Sequence, residues 1–66
     1  MRTIINGEER DVEAATTIAK LLELLGAPSN GVAVARNERV VARARHATEI
    51  VQEGDRIEII RAVAGG

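Results

Sequence analysis

Two extended segments at the start of the chain are joined by an Asn-Gly pair. Residues 3–5 are rich in β-branched side chains, and residues 9–12 form the expected return strand after Asn6-Gly7. Asn-Gly between extended segments is the strongest short-range signal of a hairpin, because both central turn positions need φ > 0. This pattern predicts an antiparallel β-hairpin.

The next segment carries apolar residues at helical spacing. The positions i, i+3, i+4 and i+7 are occupied by Ile18, Leu21, Leu22 and Leu25. Such spacing predicts one apolar stripe along a helix, and Thr16 or Thr17 can cap its start through a side-chain hydroxyl. Gly26 can end the helix in the left-handed conformation, and Pro28 prevents its continuation. Because a helix of about ten residues is marginal in water, it must pack on a sheet.

More extended segments follow the helix. Residues 31–35 have the continuous apolar character of a strand covered on both faces, and a turn at Asn37-Glu38 leads into a short strand. Residues 56–61 alternate between polar and apolar and follow a Glu-Gly-Asp turn signal. Residues 42–53 match neither period, so no element is predicted there.

The order of hairpin, helix and further strands predicts an α+β protein of the β-grasp (ubiquitin-like) class. In that arrangement one main helix packs on one face of a mixed sheet, and the last strand runs parallel to the first in the middle of the sheet. We expect residues 1–61 to form this domain and residues 62–66 to form a flexible C-terminal tail. Fully extended, residues 61–66 would reach roughly 20 Å from the sheet.

Size and composition exclude several kinds of chemistry. A chain of 66 residues without cysteine is a single domain with no disulfide, no thiolate metal site and no thiol nucleophile. It has no Phe, Trp or Tyr to stack on bases, and nine Lys and Arg against ten Asp and Glu leave a net charge of −1. Neither a membrane span nor a signal peptide is predicted, so we expect a cytoplasmic protein that binds neither nucleic acid nor membrane.

The chain ends in Gly65-Gly66, and this pair is the main candidate for chemistry. Glycine lacks Cβ, so a Gly-Gly tail is thin enough to thread a narrow tunnel and to present the Gly66 carboxylate to another protein's active site. The plainer interpretation is a frayed end or an expression remnant. Ala62, Val63 and Ala64 would form the rest of the threading arm or a short extension of the last strand.

The chain as a whole resembles the ThiS-type sulfur carrier proteins of thiamine biosynthesis. The stretches that carry the resemblance are ING at 5–7, TTIAKLL at 16–22, VAVARN at 32–37, VAR at 41–43, EGDRIEI at 53–59 and AVAGG at 62–66. The terminal stretch is the most specific of them. Two positions depart from the family pattern, since Ala42 stands where proline is common and His46 stands near a usual tryptophan.

The resemblance implies a carrier that other enzymes act on rather than an enzyme. A ThiF-like adenylating enzyme would use ATP and Mg²⁺ to convert the Gly66 carboxylate into an acyl-adenylate. A persulfide sulfur donor would then produce a thiocarboxylate on Gly66, and a ThiG-like thiazole synthase would use that sulfur to build the thiazole ring. Gly65 would supply flexibility to the tail, and the chain itself would bind no cofactor.

Contacts with those partners are expected along the tail and at the end of the last strand. Ile60 points away from the helix-covered face if Ile57 and Ile59 point toward it. An exposed apolar residue on the open face of the sheet suits partner docking. Ile60 is therefore a candidate partner-binding residue together with Ala62, Val63 and Ala64.

Charged residues and the single histidine are weaker candidates. A basic cluster is formed by Arg36, Arg39, Arg43 and Arg45. It is interpreted first as a solvated face, and alternatively as a contact for an acidic patch on a partner. His46 has no second His or Cys to share a metal and no nearby Ser to activate, so a catalytic role is disfavoured. The acids at Glu8-Glu9 and Glu53 lie in turns and are expected to be solvated, whereas Asp55 is expected to support the turn before the last strand.

Two other functions stay open on the sequence alone. One is a carrier for molybdopterin synthesis or for another thiocarboxylate pathway, since such carriers also end in Gly-Gly. The other is a β-grasp binding module that performs no covalent chemistry. A binding module would tolerate an extra C-terminal residue, whereas a carrier would not, because the reactive carboxylate would be displaced.

Overall fold

The computed structural model describes residues 1–28 and 31–61. Within them the strands are β1 (Arg2–Ile5), β2 (Glu8–Asp11), β3 (Val32–Arg36), β4 (Arg39–Val41) and β5 (Arg56–Arg61). The helix α1 covers Ile18–Leu24, and a 3₁₀ turn covers Arg43–Arg45.

The strands form one mixed sheet in the order β2-β1-β5-β3-β4. β1 pairs antiparallel with β2 and parallel with β5, with Ile5 opposite Ile57. β5 also pairs antiparallel with β3, which pairs with β4. The last strand therefore lies beside the first in the middle of the sheet, and the predicted β-grasp arrangement is confirmed.

The helix lies between its predicted capping residues, but it has seven residues rather than about ten, because Leu25 is already the C-cap. Thr17 is the N-cap, and its hydroxyl oxygen accepts a hydrogen bond from the Lys20 amide at 3.1 Å. The Thr16 hydroxyl instead donates to the Glu13 carbonyl at 2.7 Å, so Thr16 does not cap the helix. Gly26 follows the helix with a φ of 71°, as the left-handed stop requires. In the described part of the chain, no helix is long and apolar enough to cross a membrane.

The core is aliphatic and lies between α1 and one face of the sheet. Its buried apolar side chains are Ile5, Val12, Ile18, Leu21, Leu22, Val34, Val51 and Ile57. Full burial of one such side chain stabilises the folded state by about 1.5–3 kcal/mol. The burial of these side chains holds the short helix on the sheet. Side chains on the other sheet face point away from this core.

The strand bounds differ by one residue from those that the sequence predicts. β2 covers Glu8–Asp11 rather than residues 9–12, although the amide of Val12 still donates to the Met1 carbonyl at 2.8 Å. β3 begins after Gly31, because Gly31 has a φ of 72° and cannot lie in a strand. The 3₁₀ turn at Arg43–Arg45 lies in the segment 42–53, where the sequence predicts no element.

Candidate functional site

Most of the predicted site residues lie outside the part of the chain that the structure describes. They are Ala62, Val63, Ala64, Gly65 and Gly66. The described chain leads up to them through β5, whose last residue is Arg61. The described part of the candidate site is therefore the sheet around the end of β5.

β5 is held differently on its two sides. On the β3 side, pairing continues to Arg61, which lies opposite Val32. On the β1 side, the backbone register ends opposite Ile57. Beyond that point the amide of Ile59 donates to the side-chain Oδ1 of Asn6 at 2.8 Å. The last two residues of β5 thus have a full strand partner on one side only, among the described residues.

Ile60 lies on the open face of the sheet, with 59% of its surface exposed. Ile57 is fully buried and Ile59 packs against the core. Because side chains alternate along a strand, Ile60 must point to the opposite face. The orientation that the sequence predicts for Ile60 is confirmed.

Ile60 belongs to an apolar strip on the open face, which consists of Ala33, Ala35, Val40 and Ile60. Ala33 lies opposite Ile60, and Val40 lies opposite Ala35. Val40 is 79% exposed, more than Ile60 itself. Val40 is not among the residues predicted from the sequence, although alternation with Val41, which packs against the core, places Val40 outward.

The structure separates one arginine of the basic cluster from the others. The Arg36 Nη1 lies 2.8 Å from the Glu49 carboxylate, and the Arg36 Nε lies 2.8 Å from the Asp55 carboxylate. Arg36 is therefore paired inside the protein and fits neither interpretation of the cluster. The exposed members are Arg39, Arg43 and Arg45. Arg45 approaches Glu49 only to 4.0 Å, a distance at which an exposed pair contributes little.

His46 has the surroundings of a packing residue. Its Nε2 lies 3.2 Å from the Val41 carbonyl oxygen, and its own carbonyl accepts a hydrogen bond from the Ala19 amide at 2.7 Å. The side chain is buried between the helix and the segment that follows β4. Within residues 1–28 and 31–61, no group of three or more His, Asp or Glu could hold a metal ion.

The acidic candidates divide into solvated and structural residues. Asp55 is only 5% exposed, and its carboxylate accepts from the Gln52 amide at 2.7 Å and from Asn37 Nδ2 at 3.0 Å. The prediction that Asp55 supports the turn before β5 is confirmed.

The prediction that Glu8 and Glu9 lie in a turn is wrong, because both belong to β2, where each is exposed and within 4 Å of an exposed arginine. Glu53 does lie in a turn, and its exposed carboxylate accepts from the Arg2 amide at 3.1 Å.

Comparison with known proteins relates the whole chain to one family. The ThiS family profile matches residues 2–66. The sulfur carrier protein ThiS of Escherichia coli is 36% identical over 66 residues, which is the full length of both chains. The crystal structure of the thiamine biosynthesis protein ThiS from Geobacter metallireducens superimposes with a TM-score of 0.82 at 29% identity, with both chains fully covered.

A second kind of relative is much longer than this chain. The thiazole synthase of Paramagnetospirillum magneticum is 42% identical over all 66 residues of the chain. Those residues span 20% of the length of that synthase. A protein that bears the name of the synthase thus contains a segment similar to the entire sequence described above.

Proposed function

The chain belongs to the ThiS family, and on this premise we propose that it carries sulfur for the formation of the thiazole ring in thiamine biosynthesis. The observation that carries the proposal is the match across residues 2–66, which includes the terminal Gly65-Gly66. Identity of 36% over the full length of a sulfur carrier supports the same conclusion.

We infer that the reactive group is the carboxylate of Gly66. A carboxylate oxygen attacks the α-phosphorus of ATP on a ThiF-like enzyme, and pyrophosphate leaves. The terminal sulfur of a persulfide then attacks the acyl carbon of the adenylate, and AMP leaves. A second thiol attacks the donor-side sulfur of the resulting acyl disulfide, which forms a new disulfide and releases the thiocarboxylate on Gly66.

In this scheme the chain is a carrier and the catalysis belongs to its partners. ATP and Mg²⁺ are used by the adenylating enzyme, and the thiocarboxylate sulfur is consumed by a ThiG-like thiazole synthase. The presence of a similar segment within a thiazole synthase supports the second partnership, because it joins a ThiS-like segment and that name in one protein. Gly65 and residues 62–64 form the arm that reaches those active sites.

The decisive experiment measures the intact mass of the chain after incubation with ATP, a ThiF-like enzyme and a persulfide donor. We expect the mass increase of one oxygen-to-sulfur exchange, located at Gly66 by fragmentation. The control carries one additional alanine after Gly66 and should stay unchanged. The same spectrum also establishes whether Gly66 is the terminal residue of the mature protein.

Two results would redirect the proposal. A chain that stays unmodified while the same enzyme loads Escherichia coli ThiS would exclude this pathway and favour another thiocarboxylate carrier or a binding module. Equal loading of the chain with the extra alanine would show that Gly66 is not the acceptor.

We further propose that the open-face strip is where the adenylating enzyme docks. Ile60 is exposed and apolar, and it directly precedes the last residue of β5. A partner that binds residues 62–66 can therefore also contact Ile60. Ile60→Ser should raise the KM for the carrier about tenfold, because roughly half of an isoleucine side chain would lose its buried contact.

Leu24 provides a matched control for this substitution. It is 63% exposed on the helix, away from the open face, so Leu24→Ser removes a similar exposed surface. We expect Leu24→Ser to leave the KM unchanged. Equal effects of the two substitutions on KM would contradict docking at the open face.

A further inference from the structure

Asn6 makes an unusual contribution to the end of β5. It lies at the first position of the turn between β1 and β2, with a φ of 50°. On the sheet, this turn is adjacent to the last residues of β5, because β1 and β5 run parallel. Asn6, Ile59 and Arg61 line the same shallow groove.

The side chain of Asn6 continues a backbone ladder after β1 has ended. The Ile4 amide donates to the Asp55 carbonyl at 3.0 Å, and the Asn6 amide donates to the Ile57 carbonyl at 2.9 Å. In a regular parallel ladder, the Ile59 amide would next donate to the backbone carbonyl of Asn6. The donor is instead satisfied by the side-chain Oδ1 of Asn6 at 2.8 Å. The turn diverts the chain toward β2, and the amide side chain supplies the missing acceptor.

This hydrogen bond is the last one that reaches β5 from the β1 side within the described residues. Two residues later the described chain ends at Arg61, and residues 62–66 follow in the sequence. Without the Asn6 acceptor, only β3 would guide the end of β5. The strand could then rotate about that single ladder, and the direction in which it points at Arg61 would vary.

We propose that Asn6 is a positioning residue for sulfur loading. Its side-chain amide fixes β5 at Ile59, and so sets the direction in which the strand points at Arg61, the residue that precedes the segment carrying Gly66. The proposal rests on the carrier function proposed above. Its physical basis is that a reacting group held in a productive orientation reacts faster than one that samples many directions.

Asn37 provides an internal control, because it occupies an equivalent turn at the opposite end of β5. Its φ is 52°, and its Oδ1 accepts from the Arg56 amide at 2.9 Å. A substitution at Asn37 therefore removes the same kind of side-chain hydrogen bond to β5, but far from the tail.

The test compares three variants in the loading assay with a ThiF-like enzyme. Asn6→Gly keeps the left-handed turn and removes the acceptor, whereas Asn6→Asp keeps both the turn preference and an acceptor oxygen. Asn37→Gly is the control for lost stability. We expect Asn6→Gly to lower the kcat for thiocarboxylate formation about tenfold at a temperature where all variants are folded. Asn6→Asp should restore the rate, and Asn37→Gly should load at the rate of the unmodified chain.

An NMR measurement tests the positioning independently of loading. Backbone ¹⁵N order parameters at Ile60 and Arg61 should fall in Asn6→Gly and stay unchanged in Asn37→Gly. Unchanged order parameters in Asn6→Gly, or equal loss of loading rate in Asn6→Gly and Asn37→Gly, would overturn the proposal. If the unmodified chain is not loaded at all, the carrier function fails, and the order parameters alone decide whether Asn6 positions the strand.

Discussion

The two hairpin turns have similar φ angles, and they hold opposite ends of β5. Asn6-Gly7 has φ angles of 50° and 84°, and Asn37-Glu38 has φ angles of 52° and 70°. In both turns the asparagine Oδ1 accepts a backbone amide of β5. Because β1 runs parallel to β5 and β3 runs antiparallel, the two turns reach opposite ends of the same strand.

The surroundings of the two asparagines differ in their number of partners. Asn37 also donates to the buried Asp55, which is paired with Arg36 at 2.8 Å. Arg36 in turn binds Glu49, so several segments meet at the start of β5. At the other end, the Asn6 side chain makes one hydrogen bond within residues 1–28 and 31–61. The start of β5 is therefore held by a charged network, whereas the end near Arg61 is held on the β1 side by the Asn6 side chain and on the β3 side by strand pairing.

The largest expected effect comes from removing the centre of the network. Asp55→Ala leaves Arg36 without its more deeply buried partner and also removes an acceptor for the Asn37 side chain. We expect the free energy of unfolding to fall by about 3 kcal/mol, measured by urea denaturation. Glu53→Ala removes an exposed carboxylate of the same turn that accepts only the Arg2 amide, at 3.1 Å, and should cost about 1 kcal/mol. Equal costs for the two substitutions would show that the network adds little to stability.

A smaller effect is expected when the two asparagines are compared directly. Asn37→Gly loses two side-chain hydrogen bonds and should lower the free energy of unfolding by about 2 kcal/mol, whereas Asn6→Gly loses one and should cost about 1 kcal/mol. Chemical denaturation of both variants measures the difference. The reverse order would mean that the end of β5 near the tail, rather than its start, carries the stability.

The smallest effects are expected at the second positions of the turns, and they should have opposite signs. Gly7→Ala should lower the free energy of unfolding by about 1 kcal/mol through backbone strain alone, since an added Cβ meets no atom within 4 Å. Glu38→Gly should raise it by about 0.5 kcal/mol, because glycine accepts the positive φ without that strain. Thermal unfolding of the two variants gives the signs, and a shared sign would rule out strain as the cause.

Much of the fold could be predicted because its signals are local. The Asn6-Gly7 hairpin, the Thr17 cap and the apolar stripe of α1 each depend on residues within a few positions of one another. Residues 42–53 could not be predicted, because their structure depends on distant contacts. The backbone amide of Ile18 donates a hydrogen bond to the Glu49 carbonyl, and the side chain of Val51 is fully buried in the core.

The candidate site was predictable to a similar extent. Alternation along β5 placed Ile60 on the open face correctly. The four arginines looked alike in sequence, yet Arg36 faces two carboxylates that lie 13 and 19 positions further along the chain. The predictions for Ala62, Val63, Ala64, Gly65 and Gly66 stay predictions, since those residues lie outside the described structure.

The sequence by itself determined that Asn6 and Asn37 would form turns, because asparagine tolerates the positive φ that such turns require. Only the tertiary structure decided which amides those side chains would meet. Asn6 binds the amide of Ile59, 53 residues away, and that contact exists because the sheet brings β1 and β5 together in parallel. The backbone preference of a residue is a local property that its sequence position does not change. A hydrogen-bond partner that is distant in sequence comes within reach only when the whole chain folds.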